Sequence, residues 1–321
     1  MSSTDSRVLA DLARRSLSAA WDGDPRAARL VAAEFAASGH AGRAVPPVDL
    51  DEELHGAYHG LRRAVAESLG MEEASHTAAM AWTGWAMTVE NAAHELRARA
   101  RLAVDEAHRW LRFVDDGSSG ADVSDIPLLA QMVRGLPGRE GEPSPATQPA
   151  DPILVDAMLQ TEAAAAMVRR PDIAEPLANW LRDQSEAPGA ENLSDAVTLI
   201  DARRLHAMGD LPAAARLCAS AASDPVGEPV TAAIEFRREL ALYSIEAGQD
   251  ETAARMLAMV ADDARAAGLG LDHVAAVRLA APVLDRLGRA RERRTMAKEA
   301  LAAAAGYPAS PAMDEVTAAA K

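Results

Sequence analysis

Cysteine is all but absent. Cys218 stands alone, so neither an intrachain disulfide nor a thiolate metal cluster can form. It lies in the run Ala-Arg-Leu-Cys-Ala-Ser-Ala-Ala with no basic activator beside it, which suits a buried helical position better than a reactive thiol. Aromatics are scarce, at 3% of 321 residues. Lysine occurs only at 298 and 321, leaving 31 of the 33 basic residues as arginine, a bias expected of a GC-rich bacterial genome. Positive charge is itself in deficit. With 48 acids the net charge is −15, which makes nucleic acid a poor partner for the protein as a whole and disfavours anionic lipid. Long apolar runs are missing too. The longest uncharged stretch, Ala74 to Val89, has 16 residues and carries Ser75, His76, Thr77, Thr83 and Gly84, too short and too polar for a bilayer that takes about 20. The opening MSSTDSRVLADLARR has no apolar h-region, so a cytoplasmic protein is expected. There is no alternating β-branched pattern, no phosphate loop, no GxGxxG and no GxSxG elbow. No cofactor is expected, and an unfamiliar enzyme has no residue pattern in its favour.

What the chain does have is alanine, 75 residues of it, and hydrophobic residues at 49% of the total. That composition specifies helix. Residues 5–22 and 25–38 read as a hairpin broken at Asp22-Gly23-Asp24-Pro25, with Asp24 as N-cap and Pro25 in the first turn. Pro46-Pro47 precedes a helix over 50–69. Gly70 closes it, and a further helix runs from Glu72 to Val114 with Gly84 as its expected break. The segment 117–152 is rich in Pro, Gly and acids and reads as a linker containing one short helix over 126–134. Helices resume at 153–170 and 173–184. The expected organisation is thus an N-terminal helical region (1–116), the linker, a repeat array (153–305) and a flexible tail (306–321).

From about Asn192 the chain repeats. Turn glycines Gly209, Gly248 and Gly288 are 39 and 40 residues apart. Seven residues before each stands alanine (Ala202, Ala241, Ala281), and eight after stands Leu217, Met256 or Met296. Twelve after come Ala221, Val260 and Ala300. Small residues on a first helix admit a second closely, and bulky ones fill the seam. A unit of this kind must stack on neighbours to bury its apolar face.

The phrases MGDLPAAARL and AGQDETAARML resemble the turn and second helix of tetratricopeptide repeats. Ala202, Gly209, Ala214 and Ala221, then Ala241, Gly248 and Ala253, occupy the family's small-residue positions; DGDPRAARLVAAEF, with Gly23 and Ala28, is similar to an isolated further copy. The family's aromatic positions are unfilled, Arg293 replaces a small residue, Pro282 falls mid-helix and the period exceeds the usual one of about 34. The resemblance implies an α-solenoid with a concave binding groove and a regulatory, protein-binding role.

In such a groove, positions before each turn glycine would line the concave side. They place Arg203, His206, Arg238, Arg278 and Arg286 there, a cationic strip in an acidic protein. Guanidinium groups can donate bidentately to carboxylates, so an acidic peptide is the expected partner. The competing expectation is that these arginines pair with Glu235, Glu239 and Asp285 on neighbouring turns and merely solvate the face. Two other readings remain open. Glu52, His55 and His59, one turn apart on a helix, are weak candidates for a divalent metal in a helical-bundle enzyme, with His76, His94, His108 and Asp105 on later helices. Trp82-Thr83-Gly84 is similar to the turn of small secreted WxG hairpins, against which Trp82 and Trp85, like Trp110 and Phe113, are spaced for one buried face.

Overall fold

The computed structural model describes residues 3–41, 50–89, 92–115, 152–167 and 170–321. The fold is all-α, fourteen helices among the described residues with no strand. They are α1 (Ser3–Trp21), α2 (Pro25–Ala37), α3 (Glu52–Ser68), α4 (Glu72–Thr88), α5 (Ala92–Asp115), α6 (Pro152–Met167) and α7 (Pro171–Ser185). The rest are α8 (Glu191–Ala207), α9 (Leu211–Ser223), α10 (Pro229–Glu246), α11 (Asp250–Ala266), α12 (Gly270–Arg286), α13 (Ala290–Ala303) and α14 (Pro311–Ala319). From α3 to α14 each helix packs on the next, giving an array of neighbouring helical pairs. Among the described residues no helix is long and apolar enough to cross a membrane.

The helix starts obey local chemistry. Asp24 Oδ1 accepts from Arg26 N at 3.0 Å and Ala27 N at 2.9 Å, with Pro25 filling a position that needs no donor. Asp210, Glu228 and Ser310 cap α9, α10 and α14 in the same way, each with a proline in the first turn. The repeat glycines share one geometry. Gly209, Gly248 and Gly288 have φ of 84°, 69° and 69°, and the residue after each donates back five residues (Gln249 N to Ser244 O at 2.8 Å). A Cβ at Gly248 meets nothing within 4 Å, so only the backbone conformation resists it. Gly248→Ala should therefore lower stability in urea unfolding by about 1 kcal/mol; a neutral result would mean that the turn relaxes.

The pattern positions close the units in part, Ala281, Leu217, Met256, Met296 and Ala221 being half-buried. Ala202, Ala241, Val260 and Ala300 are buried, and Cys218 fills the seam of the first unit with no exposure at all. Burial, reinforced by Glu239, pushes the Cys218 thiol up to about 12, so it is inert.

Three expectations are corrected. The helix thought to break at Gly84 runs through it, and the chain divides instead between Thr88 and Ala92. Gly84 sits on the exposed face, and a lone helical glycine costs only about 1 kcal/mol. Trp82-Thr83-Gly84 is consequently mid-helix and not a hairpin turn, with Trp82 buried and its ring over Gly60 of α3. Third, the expected flexible tail forms α14, whose Ala312, Val316 and Ala319 are buried, while Ala312 N donates to Leu69 O at 3.2 Å. The expected helix over 126–134 and the linker around it lie outside the described residues, as do the side chains of Trp110 and Phe113.

The two ends of the array meet. One hydrophobic cluster contains Leu9 and Leu12 of α1, Val31 and Phe35 of α2, Tyr58 and Val65 of α3, and also Val274, Ala300 and Val316 of α12 to α14. The first hairpin lies against α3, α6, α10 and α12.

Candidate functional site

The first helices of the three units, α8, α10 and α12, present matching stripes on the face expected to be concave. On α10 the stripe is Glu235, Arg238 and Leu242, at spacings of three and four; on α8 it runs from Asn192 to Arg203, and on α12 from Asp272 to Pro282. At its N-terminal end each stripe touches the first hairpin. Asn192 Nδ2 donates to Gly23 O at 3.2 Å, Arg29 Nη1 donates to Asp272 Oδ1 at 2.6 Å, and Arg29 Nη2 bonds to Glu235. Leu30, one residue on, packs with Ile234, Val260 and Leu269. At its C-terminal end each stripe is open: Arg203, Leu242 and Pro282, six residues before their turn glycines, are all exposed. The hairpin thus covers half of the face and leaves half free.

The expected cations are there, but most are engaged. Arg203 donates to Glu239 Oε1 through Nε at 3.0 Å and Nη2 at 2.5 Å. His206 Nε2 lies 2.6 Å from Glu246 Oε2, and its ring stacks on Tyr243 at 5.0 Å. Arg278 reaches Glu315 of α14 at 2.8 and 3.1 Å, and Arg286 reaches Asp250 of α11 at 2.8 and 2.6 Å. The Asp250 carboxyl is held below its ordinary range by that hydrogen bond. Arg238 is half-buried and closes no ion pair among the described residues. A continuous cationic strip is therefore not what a ligand would meet. The expected acceptors are also redistributed: Glu239 goes to Arg203, while Glu235 serves Arg29 and Asp285 serves Arg293.

The histidine reading fares differently. His59 is buried, and desolvation, with Arg62 and His55 adding positive potential, lowers its imidazole to about 4. His55 is half-exposed one turn away, and the Glu52, His94 and His108 side chains lie outside the described residues. Asp105, the acid named with these histidines as a candidate, is taken by Arg63 at 2.9 Å and Ser75 at 3.2 Å, tying α3, α4 and α5 together. Among the described residues no three His, Cys, Asp or Glu side chains are grouped to hold a metal.

Sequence reasoning missed two acids on α6, the first half-buried and the second buried. Asp156 of α6 holds Arg97 at 2.9 Å and Arg101 at 2.5 Å from α5. Glu162, also on α6, is 5% exposed, and burial raises its carboxyl to about 7 against the opposing pull of Arg203 and Arg204. A groove of about 460 Å³ between α11 and α13 carries both signs and closes its own pairs, Arg289 with Glu251 and with Glu292. No protein-family model matches the chain, and no curated protein or solved structure matches it either.

Proposed function

We propose that the protein is a non-catalytic adaptor or regulator of the tetratricopeptide-like kind, which docks a protein partner on the open half of the face formed by α8, α10 and α12. One observation carries this reading: the stripes that already hold a helix of the same chain at one end stop short, leaving Leu242 and Pro282 exposed beside the unneutralised Arg238. A partner segment with an apolar residue followed by a carboxylate suits that surface, the apolar side chain covering Leu242 and the acid meeting Arg238. The engaged state of Arg203, Arg278 and Arg286 narrows the expected specificity from a polyanion to a segment with a single acid.

Cross-linking from the native cell with a tagged full-length bait tests it. Partners captured by the wild-type chain should be lost with Arg238→Glu plus Leu242→Asp, at a melting temperature lowered only slightly, because Leu242 is exposed and the half-buried Arg238 closes no ion pair among the described residues. Undiminished capture by that double variant rejects the reading.

A further inference from the structure

Six of the chain's 33 basic residues fall between Arg286 and Lys298, with Glu292 the one acid among them, a local charge of +5 in a chain of −15. Three are neutralised where they stand: Arg286 by Asp250, Arg289 by Glu251 and Glu292, Arg293 by Asp285. The other three, Arg291, Arg294 and Lys298, are exposed and close no ion pair among the described residues. Arg294 Nε donates to the Ala290 carbonyl of its own helix at 3.3 Å. Spacings of three and four residues put the three cations on one stripe of α13, about 10 Å long.

This placement is locally unfavourable. Arg291 falls in the first turn of α13, where the helix dipole is positive and cations are disfavoured. Neighbours of like charge three and four residues apart repel each other as well. The side chains stay in solvent, so packing returns nothing for that cost. Conflict between local rules and sequence, without a structural gain, marks a functional surface.

We propose that the outer ridge Arg291–Arg294–Lys298 of α13 docks an acidic segment of a partner protein, through a surface separate from the inner face. Its length matches one face of a helix bearing acids at i, i+3 or i+4, and i+7. A nucleic acid fits it poorly: a duplex carries a charge about every 1.7 Å along its axis. Such a rod would run past the ridge onto Asp285, Glu292 and Glu299 and into the field of an acidic molecule.

Fluorescence anisotropy of full-length protein with a fluorescein-labelled, alanine-based helical peptide carrying glutamate at those positions tests the proposal. The expected result is saturable binding that weakens with added salt and by about tenfold in Arg291→Glu/Arg294→Glu/Lys298→Glu. A charge-matched control, Arg14→Glu/Arg216→Glu/Arg265→Glu, and the inner-face variant Arg238→Glu should bind as wild type does. The inner-face result separates this surface from the adaptor reading above. No saturable binding, equal loss in the control, or tighter binding of a DNA duplex or of phosphatidylserine vesicles would overturn it.

Discussion

Arg29→Ala should destabilise the protein by about 2–4 kcal/mol, although Arg29 lies outside the repeats. The residue bridges Glu235 of α10 and Asp272 of α12 from the inner side of α2, with its side chain only 21% exposed. Removing it leaves two half-buried carboxylates facing each other and α2 with no charge to meet them, which is the costly way to break an ion pair. Arg29→Glu should be worse. The triple variant Arg29→Met/Glu235→Gln/Asp272→Asn should recover most of the loss, because no uncompensated charge then remains. Denaturant unfolding measures the energies, and amide exchange in α1 and α2 reads the place. A loss under about 0.5 kcal/mol, or protection unchanged in the hairpin, would show that the hydrophobic cluster alone closes the array.

That bridge also explains what the sequence made legible and what it hid. Helix boundaries follow residues next to one another, so Asp24-Pro25 and the three turn glycines located the hairpins to within a residue or two. The repeat, too, is a local pattern copied. Ring closure is not: Arg29 meets acids 206 and 243 positions away, and no periodicity links them. The fate of the strip lies between these extremes. Arg203 and Glu239 are 36 residues apart, His206 and Glu246 40, Arg278 and Glu315 37, Arg286 and Asp250 36. These separations approximate the repeat period, because stacking brings one unit's helix beside the next. A search for opposite charges one period apart would have found the pairs, whereas looking on neighbouring turns of a single helix did not. The last helix was hidden for another reason: nine residues with alanine and valine as the buried stripe carry too little pattern to distinguish them from a tail.

The second large effect is a pair of opposed pH responses inside the array. The Glu162 carboxyl is raised to about 7 from an ordinary 4.5. Between those values the folded chain keeps a proton that the unfolded chain has released, so its contribution is complete below about 4.5 and is lost as pH rises through 7. His59 is lowered to about 4 from 6.5. Its contribution is complete above 6.5 and is lost as pH falls through 4, because the unfolded chain then takes up a proton that the buried ring refuses. Each shift corresponds to about 3 kcal/mol over its full range, at about 1.4 kcal/mol per pH unit. Between pH 4.5 and 6.5 the two slopes have opposite signs and equal size, so together they cancel. Single variants should expose them. Glu162→Gln should gain about 3 kcal/mol at pH 8, nothing at pH 4, and lose stability relative to wild type as pH falls across the window. His59→Gln should show the reverse tilt, with its advantage confined to acid. Urea unfolding at half-unit steps from pH 4 to 8 measures both, and parallel curves for wild type and either variant would mean that the group titrates alike in the folded and unfolded chains.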